Sequence, residues 1–157
     1  MKCLIIYDSA YGNTEEVADA MAQAIKCNYE PVKDVTQDDL DAAEMIIVGS
    51  PTQGGRPTKA MQSFLSHLPD GALKGKLVAA FDTRFAEKEH GFGLRMVMGL
   101  VGFAAPRIAK MLKEKGGRLI GLPEGFIVDD KEGPVAPGEL NRAAGWAHKT
   151  IASPAIR

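Results

Sequence analysis

Cysteine is scarce in this chain. Cys3 and Cys27 are the only two among 157 residues, and no CxxC spacing joins them, so neither a disulfide framework nor a thiolate metal site is expected. With Cys3 in a strand-like stretch and Cys27 at a helix end, the plain reading is two reduced thiols in a cytoplasmic protein. Histidine is as sparse: His67, His90 and His148 are isolated from one another and from the cysteines, which gives no metal-ligand spacing. Neither sign of charge prevails, with a net charge of -1, so nothing points to nucleic acid or an acidic polymer as a partner. Long apolar runs are missing too. The most apolar later stretch, Leu94 to Ala105, is too short for a bilayer and is bordered by Arg95, Pro106 and Arg107, so no membrane span is expected. The chain enters a strand almost at once, so no signal peptide is expected. No repeat and no linker-like segment divides it, and 1–157 is expected to form one domain.

What is present is organised around the first fourteen residues. Cys3-Leu4-Ile5-Ile6-Tyr7 is a continuous apolar run, as expected of a strand covered on both faces. Asn13, with Glu16 three places on, signals a helix start, and Val17, Met21 and Ile25 give that helix one apolar face. The loop between them, Ser9-Ala10-Tyr11-Gly12-Asn13-Thr14, offers hydroxyl and amide side chains and the unpartnered N–H groups of a first helical turn. A dianionic phosphate would collect these donors and the positive end of the helix dipole. Gly12 allows a close turn around such an anion. A plain strand-to-helix turn with a polar cap is the other reading of these six residues.

Further along, Asn28 to Val35 reads as a weak strand, placed at or near an edge by Pro31. Gln37 to Asp41 reads as a short acidic helix. Met45-Ile46-Ile47-Val48-Gly49 is a second buried strand, ending in the loop Ser50 to Pro57; Pro57 fits the first turn of the next helix. Met61, Phe64, Leu65 and Leu68 form that helix's apolar face. Leu77 to Phe81 is a third buried strand, followed by Asp82-Thr83-Arg84-Phe85. Pro106 to Lys115 reads as a helix ended by Gly116-Gly117. Arg118 to Leu122 and Phe126 to Val128 read as one last strand broken near Pro123-Glu124-Gly125. The final helix starts near Gly138-Glu139, with Leu140, Ala143, Ala144, Ala147 and Ile151 on one side and Trp146 as a packing residue. Strand and helix alternate throughout, which predicts an α/β fold with one parallel sheet covered by helices on both faces. Ligands of such sheets bind beyond the carboxyl ends of the strands. The loops Ser9 to Thr14, Ser50 to Arg56 and Asp82 to Gly93 should therefore meet.

Two of these motifs carry a resemblance. Ser9-Ala10-Tyr11-Gly12-Asn13-Thr14 resembles the phosphate loop of the flavodoxin family, and Val48-Gly49-Ser50-Pro51-Thr52-Gln53-Gly54 resembles its flavin-facing loop after the third strand. The resemblance covers essentially the whole chain and is closest to the short-chain branch. It implies a flavodoxin-like three-layer sandwich, a five-stranded parallel sheet of order 2-1-3-4-5, and FMN as the cofactor. Ser9, Ala10, Tyr11, Gly12, Asn13 and Thr14 would then hold the phosphate, Ser50, Pro51, Thr52, Gln53, Gly54 and Gly55 would lie along the ring, and Asp82, Thr83, Arg84 and Phe85 would form the other wall. Gly54 or Gly55 would supply a peptide that reorients towards flavin N5, since glycine makes such a flip cheap. The chemistry would be the cofactor's.

The chain departs from the family in four respects. Gln53 stands where an aromatic is usual, so Phe85 or Phe92 is left to cover the ring. Arg84 is either a cation beside the flavin N1 and O2 edge or a solvent-facing residue. Arg56, Lys59, Arg84, Lys88 and Arg95 crowd the expected mouth, whereas the family is acidic there; this implies redox partners with an acidic docking face, ordinary solvated charge being the other reading. The apolar segment Leu94 to Phe103 is either a contact surface or a helix packed on the sheet. The implied function is an electron-transfer protein shuttling low-potential electrons between redox enzymes, as a monomer or weak homodimer. The alternative is an FMN-dependent two-electron oxidoreductase of the NAD(P)H/quinone type. A phosphoacceptor receiver lacks its acidic pair, and no Cys-x5-Arg or GxxxxGK[ST] loop is present. A flavodoxin-like domain without cofactor, acting as an interaction module, completes the alternatives.

Overall fold

A computed structural model describes residues 1–85 and 102–153 of the chain. The strands are β1 (Cys3–Tyr7), β2 (Asn28–Pro31), β3 (Met45–Pro51), β4 (Leu77–Phe85), β5 (Arg118–Leu119) and β6 (Glu124–Val128). The helices are α1 (Asn13–Ile25), α2 (Gln37–Ala42), α3 (Lys59–His67), α4 (Ala104–Glu114) and α5 (Glu139–Ala152). All pairings among these strands are parallel and follow the order β2-β1-β3-β4-β5, with β6 continuing beside β4 beyond β5. The expected order is found, and the last strand is broken, but between Leu119 and Glu124 rather than near Pro123-Glu124-Gly125, since Glu124 and Gly125 already pair with β4. β5 pairs the start of β4 and β6 pairs its end, Phe81 to Phe85 against Glu124 to Val128.

The buried strands separate two cores. One packs Ile6, Ile46, Val48 and Ala80 against Met61, Leu65, Ile108 and Leu112 of α3 and α4. The other packs Ile5, Ile47, Ala79 and Phe81 against Val17 and Met21 of α1 and Ala143 and Ala147 of α5. Alternate residues of each strand thus serve opposite faces, which is why the strands read as unbroken apolar runs. Phe81, Phe126 and Trp146 meet edge to face, with centroids 6.1 to 6.3 Å apart, and Trp146 Nε1 donates to Leu122 O at 3.2 Å. Trp146 is the packing residue the sequence suggested.

Several local expectations are corrected. Asn13 is not the cap of α1: Gly12 holds that position at φ 91, and no side chain caps the turn. β2 is shorter than Asn28 to Val35, because Val32–Asp34 turns into a 3₁₀ helix after Pro31. Pro57 lies outside α3, whose cap is Thr58, accepting from Met61 N at 3.2 Å. On α5 the buried face carries Ala143, Ala147 and Thr150, while Leu140 and Ile151 are exposed. A helix presenting both alanine and larger apolar residues can roll, and close approach to α1 selects the small side chains.

The cysteines correct a further expectation. Cys3 and Cys27 are disulfide-bonded, with Cα atoms 5.2 Å apart. They flank the β1–β2 ladder, where Leu4 pairs Asn28, so both precede paired residues in adjacent strands. Their separation of 24 residues in sequence concealed this, because α1 intervenes and returns the chain beside its start. Phe92, Lys88, Arg95 and most of the apolar segment from Leu94 lie outside the described residues.

Candidate functional site

The carboxyl ends of β1, β3, β4 and β6 open into a cavity of about 680 Å³, a size usual for cofactor sites. Among the described residues it is lined by Ser9, Ala10, Tyr11, Asn13, Thr14, Pro51, Thr52, Gln53, Gly54, Thr83, Arg84, Phe85, Val128, Asp129, Asp130 and Lys131. The topology accounts for this gathering. β1 and β3 are neighbours whose chains leave to opposite sides, and the crevice between them is the switch point.

The loop after β1 is held open by its own turn. Ser9 Oγ accepts from Gly12 N at 3.0 Å, and Gly12 takes the left-handed conformation that a side chain would oppose. No atom outside the turn would meet a Cβ there, so the demand for glycine is conformational. The first turn of α1 presents its N–H groups without a side-chain cap. Thr14 is buried and shares a 2.9 Å hydrogen bond with Thr83 of β4, tying this turn to the next wall. A site made of neutral donors at a helix N-terminus suits a phosphate, so the residues fit a phosphorylated cofactor.

The loop after β3 is a two-residue turn. Gln53 N donates to Arg56 O at 2.8 Å and Arg56 N to Gln53 O at 3.1 Å. Gly54 and Gly55 sit at φ 58 and φ 78, the pattern of a type I′ turn. Gly54 faces the cavity, while Gly55 is buried and lies outside the lining. Ser50 is also placed away from the cavity. It is fully buried, its hydroxyl accepts from Thr58 N at 3.0 Å and donates to Pro51 O at 3.0 Å, and its work is to fix the loop to α3.

The third wall differs most from the sequence expectation. Asp82-Thr83-Arg84-Phe85 is not loop but the end of β4. Strand alternation therefore separates Asp82 and Arg84 from Thr83 and Phe85. Asp82 is fully buried, outside the lining, and binds Arg84 through Nε and Nη2, both at 2.7 Å. It also accepts from Ala105 N at 2.8 Å and from the Thr52 hydroxyl. Burial pushes its pKa up, and these hydrogen bonds, led by Arg84, oppose the rise. The Arg84 guanidinium lies over Phe103, with its Cζ 3.7 Å from the ring centroid. On the other side, a Cβ at Gly125 would come within 2.0 Å of Arg84 Nε. Arg84 is thus neither a free solvent cation nor unconstrained: its plane is fixed between β6 and Phe103 at the cavity wall.

The sequence reasoning missed Val128, Asp129, Asp130 and Lys131. Their signal was available, since they follow the carboxyl end of β6 as the other loops follow β1, β3 and β4. Reading Pro123-Glu124-Gly125 as the break hides this, because Glu124 and Gly125 are the start of β6 itself.

Comparison with known proteins supplies the remaining observations. A family model described as Flavodoxin domain matches residues 4–120. The diflavin flavoprotein A 4 of Nostoc sp. is 37% identical over 86 residues, covering 49% of this chain and only 15% of that protein's length. The NAD(P)H dehydrogenase (quinone) of Gluconacetobacter diazotrophicus is 27% identical, covering 97% of this chain and 83% of its own. Among solved structures, oxidised Flavodoxin 1 from Bacillus cereus superimposes with a TM-score of 0.72 at 19% identity, covering 97% of this chain and 98% of that one; at that identity the likeness speaks for the fold.

Proposed function

The chain belongs to the flavodoxin family, and from that premise we propose that it is an FMN-binding electron-transfer protein serving larger redox enzymes. The observation that carries this reading is the cavity where the uncapped N-terminus of α1 meets the Gly54–Gly55 turn and the end of β4. FMN supplies the electron exchange when bound; the chain supplies placement and electrostatics. The Ser9 to Thr14 loop holds the phosphate through neutral donors, with Asn13 and the first-turn N–H groups aimed at it. Thr52, Gln53 and Gly54 lie along the ring on one side, and Arg84 and Phe85 stand on the other.

The turn suits a proton-linked adjustment. Its cross-turn hydrogen bonds are made by Gln53 and Arg56, so the central Gly54–Gly55 peptide can rotate without breaking either. Rotation converts type I′ to type II′, in which only the second position changes the sign of φ. Gly55→Ala therefore opposes the observed turn and favours the rotated one, whereas Gly54→Ala is strained in both. The test is stepwise anaerobic reduction of the FMN-loaded protein, followed by visible spectroscopy. A one-electron-reduced form should accumulate, and Gly55→Ala should change its fraction more than Gly54→Ala does. Direct passage from oxidised to fully reduced flavin, with turnover of NAD(P)H and a quinone, would instead support a two-electron oxidoreductase.

Its redox partner presents an acidic docking face. Arg56 and Lys59 are exposed beside the cavity, and Arg56, Arg107 and Lys110 line one groove between the β3–α3 loop and α4. Arg84 is excluded from this surface by its pairing with Asp82. The reduced protein should react with ferricyanide, an anion, at a rate that falls as ionic strength rises, although the chain's net charge is -1. A rate indifferent to salt would exclude steering by this face.

A further inference from the structure

Between β6 and α5 the chain makes a short tongue that the matched family region, ending at residue 120, does not reach. Its base is pinned by an antiparallel bridge between Val128 and Val135, and by Asp129 N donating to Pro134 O and Ala136 N to Ile127 O, both at 2.9 Å. Its tip is turned by Gly133 N donating to Asp130 O at 2.9 Å. Glu139, at the start of α5, accepts from Ile127 N at 2.7 Å and binds Arg142 at 2.8 Å, fixing the two flanking elements to each other. The tongue is therefore an ordered wall.

It docks on the N-terminus of α1. Gly133, at φ 106, lies so close to Asn13 that a Cβ would come within 2.5 Å of Asn13 Oδ1. Asp129, Asp130 and Lys131 consequently line the cavity beside the Ser9 to Thr14 loop. The charges nearby are mostly acidic: Asp129, Asp130 and Glu132 on the tongue, and Glu15 and Glu16 in the first turn of α1. A phosphate dianion entering here meets repulsion that the neutral donors must overcome. The other described cation of the lining, Arg84, is matched by Asp82. Lys131 makes no ion pair among the described residues.

We propose that the 128–134 tongue is a further wall of the cofactor site and that Lys131 reads the terminal phosphate, making the chain select phosphorylated over unphosphorylated flavin. This rests on the FMN reading above. An ammonium on a flexible stem at the cavity rim is a point charge suited to an anion whose other contacts are neutral. It offsets the carboxylates that surround the entry, and its contribution is screened by salt because the tongue is exposed.

Dissociation constants for FMN and for riboflavin, measured by flavin fluorescence quenching with the apoprotein, test this directly. Lys131→Gln should weaken FMN about tenfold at low salt, leave riboflavin within about twofold, and lose its effect at high salt. Gly133→Val, which pushes the tongue off Asn13, should also lower the FMN-to-riboflavin ratio, and apoprotein melting curves would separate that from misfolding. An unchanged FMN affinity in Lys131→Gln, or equal losses for both flavins, would overturn the role of Lys131 while the FMN reading stands. A wild-type protein that binds neither flavin would sink both.

Discussion

Asp82→Ala is expected to cost about 3 kcal/mol of folding stability and to weaken FMN binding with it. The carboxylate is fully buried and serves four hydrogen bonds, two of them from Arg84. Removing it leaves a guanidinium without a partner, which in a closed interior costs roughly 3–5 kcal/mol. Arg84 retains 21% of its side-chain surface in water, which places the expected loss at the lower end of that range. Ala105 N and the Thr52 hydroxyl lose their acceptor at the same time, so the start of α4 and the loop after β3 both loosen at the cavity wall. Urea unfolding of Asp82→Ala, Arg84→Leu and the double variant is the check. The double variant should be more stable than Asp82→Ala alone, because no unpaired charge remains. If Asp82→Ala were as stable as the wild type, the buried pair would not be what holds this wall.

Gly49→Val should be more disruptive still. Gly49 pairs Phe81 across β3 and β4, and the Phe81 ring lies over the glycine so closely that a Cβ would come within 2.1 Å of its Cζ. Phe81 is fully buried and held by Phe126 and Trp146, so the ring has nowhere to move without displacing both. Overpacking of this kind costs about 1–3 kcal/mol, and expulsion of a buried phenylalanine about 3–5 kcal/mol. A loss above about 3 kcal/mol, read from the denaturation midpoint, is expected. Phe81→Leu in the Gly49→Val background should recover part of it, since a smaller side chain yields the space. Loss with no recovery would point to the strand itself rather than to the ring.

Both residues show how far local pattern reaches. Gly49 reads as the plain end of an apolar run, and Asp82 reads as the first polar residue of a loop. The run of Leu77 to Phe81 stopped the strand at Asp82 because an aspartate after five apolar residues ordinarily marks a strand end. β4 continues because β6 supplies a partner on that edge and Arg84 neutralises the charge. Phe103, which lies under Arg84, and the tongue at 128–134 were hidden for the same reason: each acts on a residue distant in sequence.

The sequence by itself determined the α/β alternation, the buried strands and the polar loops after β1 and β3. These follow from hydrophobic period and from the conformational preferences of glycine and proline, which act within a few residues. From the resemblance in those loops it also implied the 2-1-3-4-5 order. Only the tertiary structure decided which loop residues face the cavity, how Asp82 and Arg84 are paired, that Cys3 meets Cys27, and which side of α5 is buried. Each of these depends on register between segments separated by intervening helices. Thr58 bonds Asp8 across 50 residues, and Thr14 bonds Thr83 across 69; no local pattern encodes such a meeting. The apolar period says that a face will be covered, while packing against a particular neighbour selects what covers it.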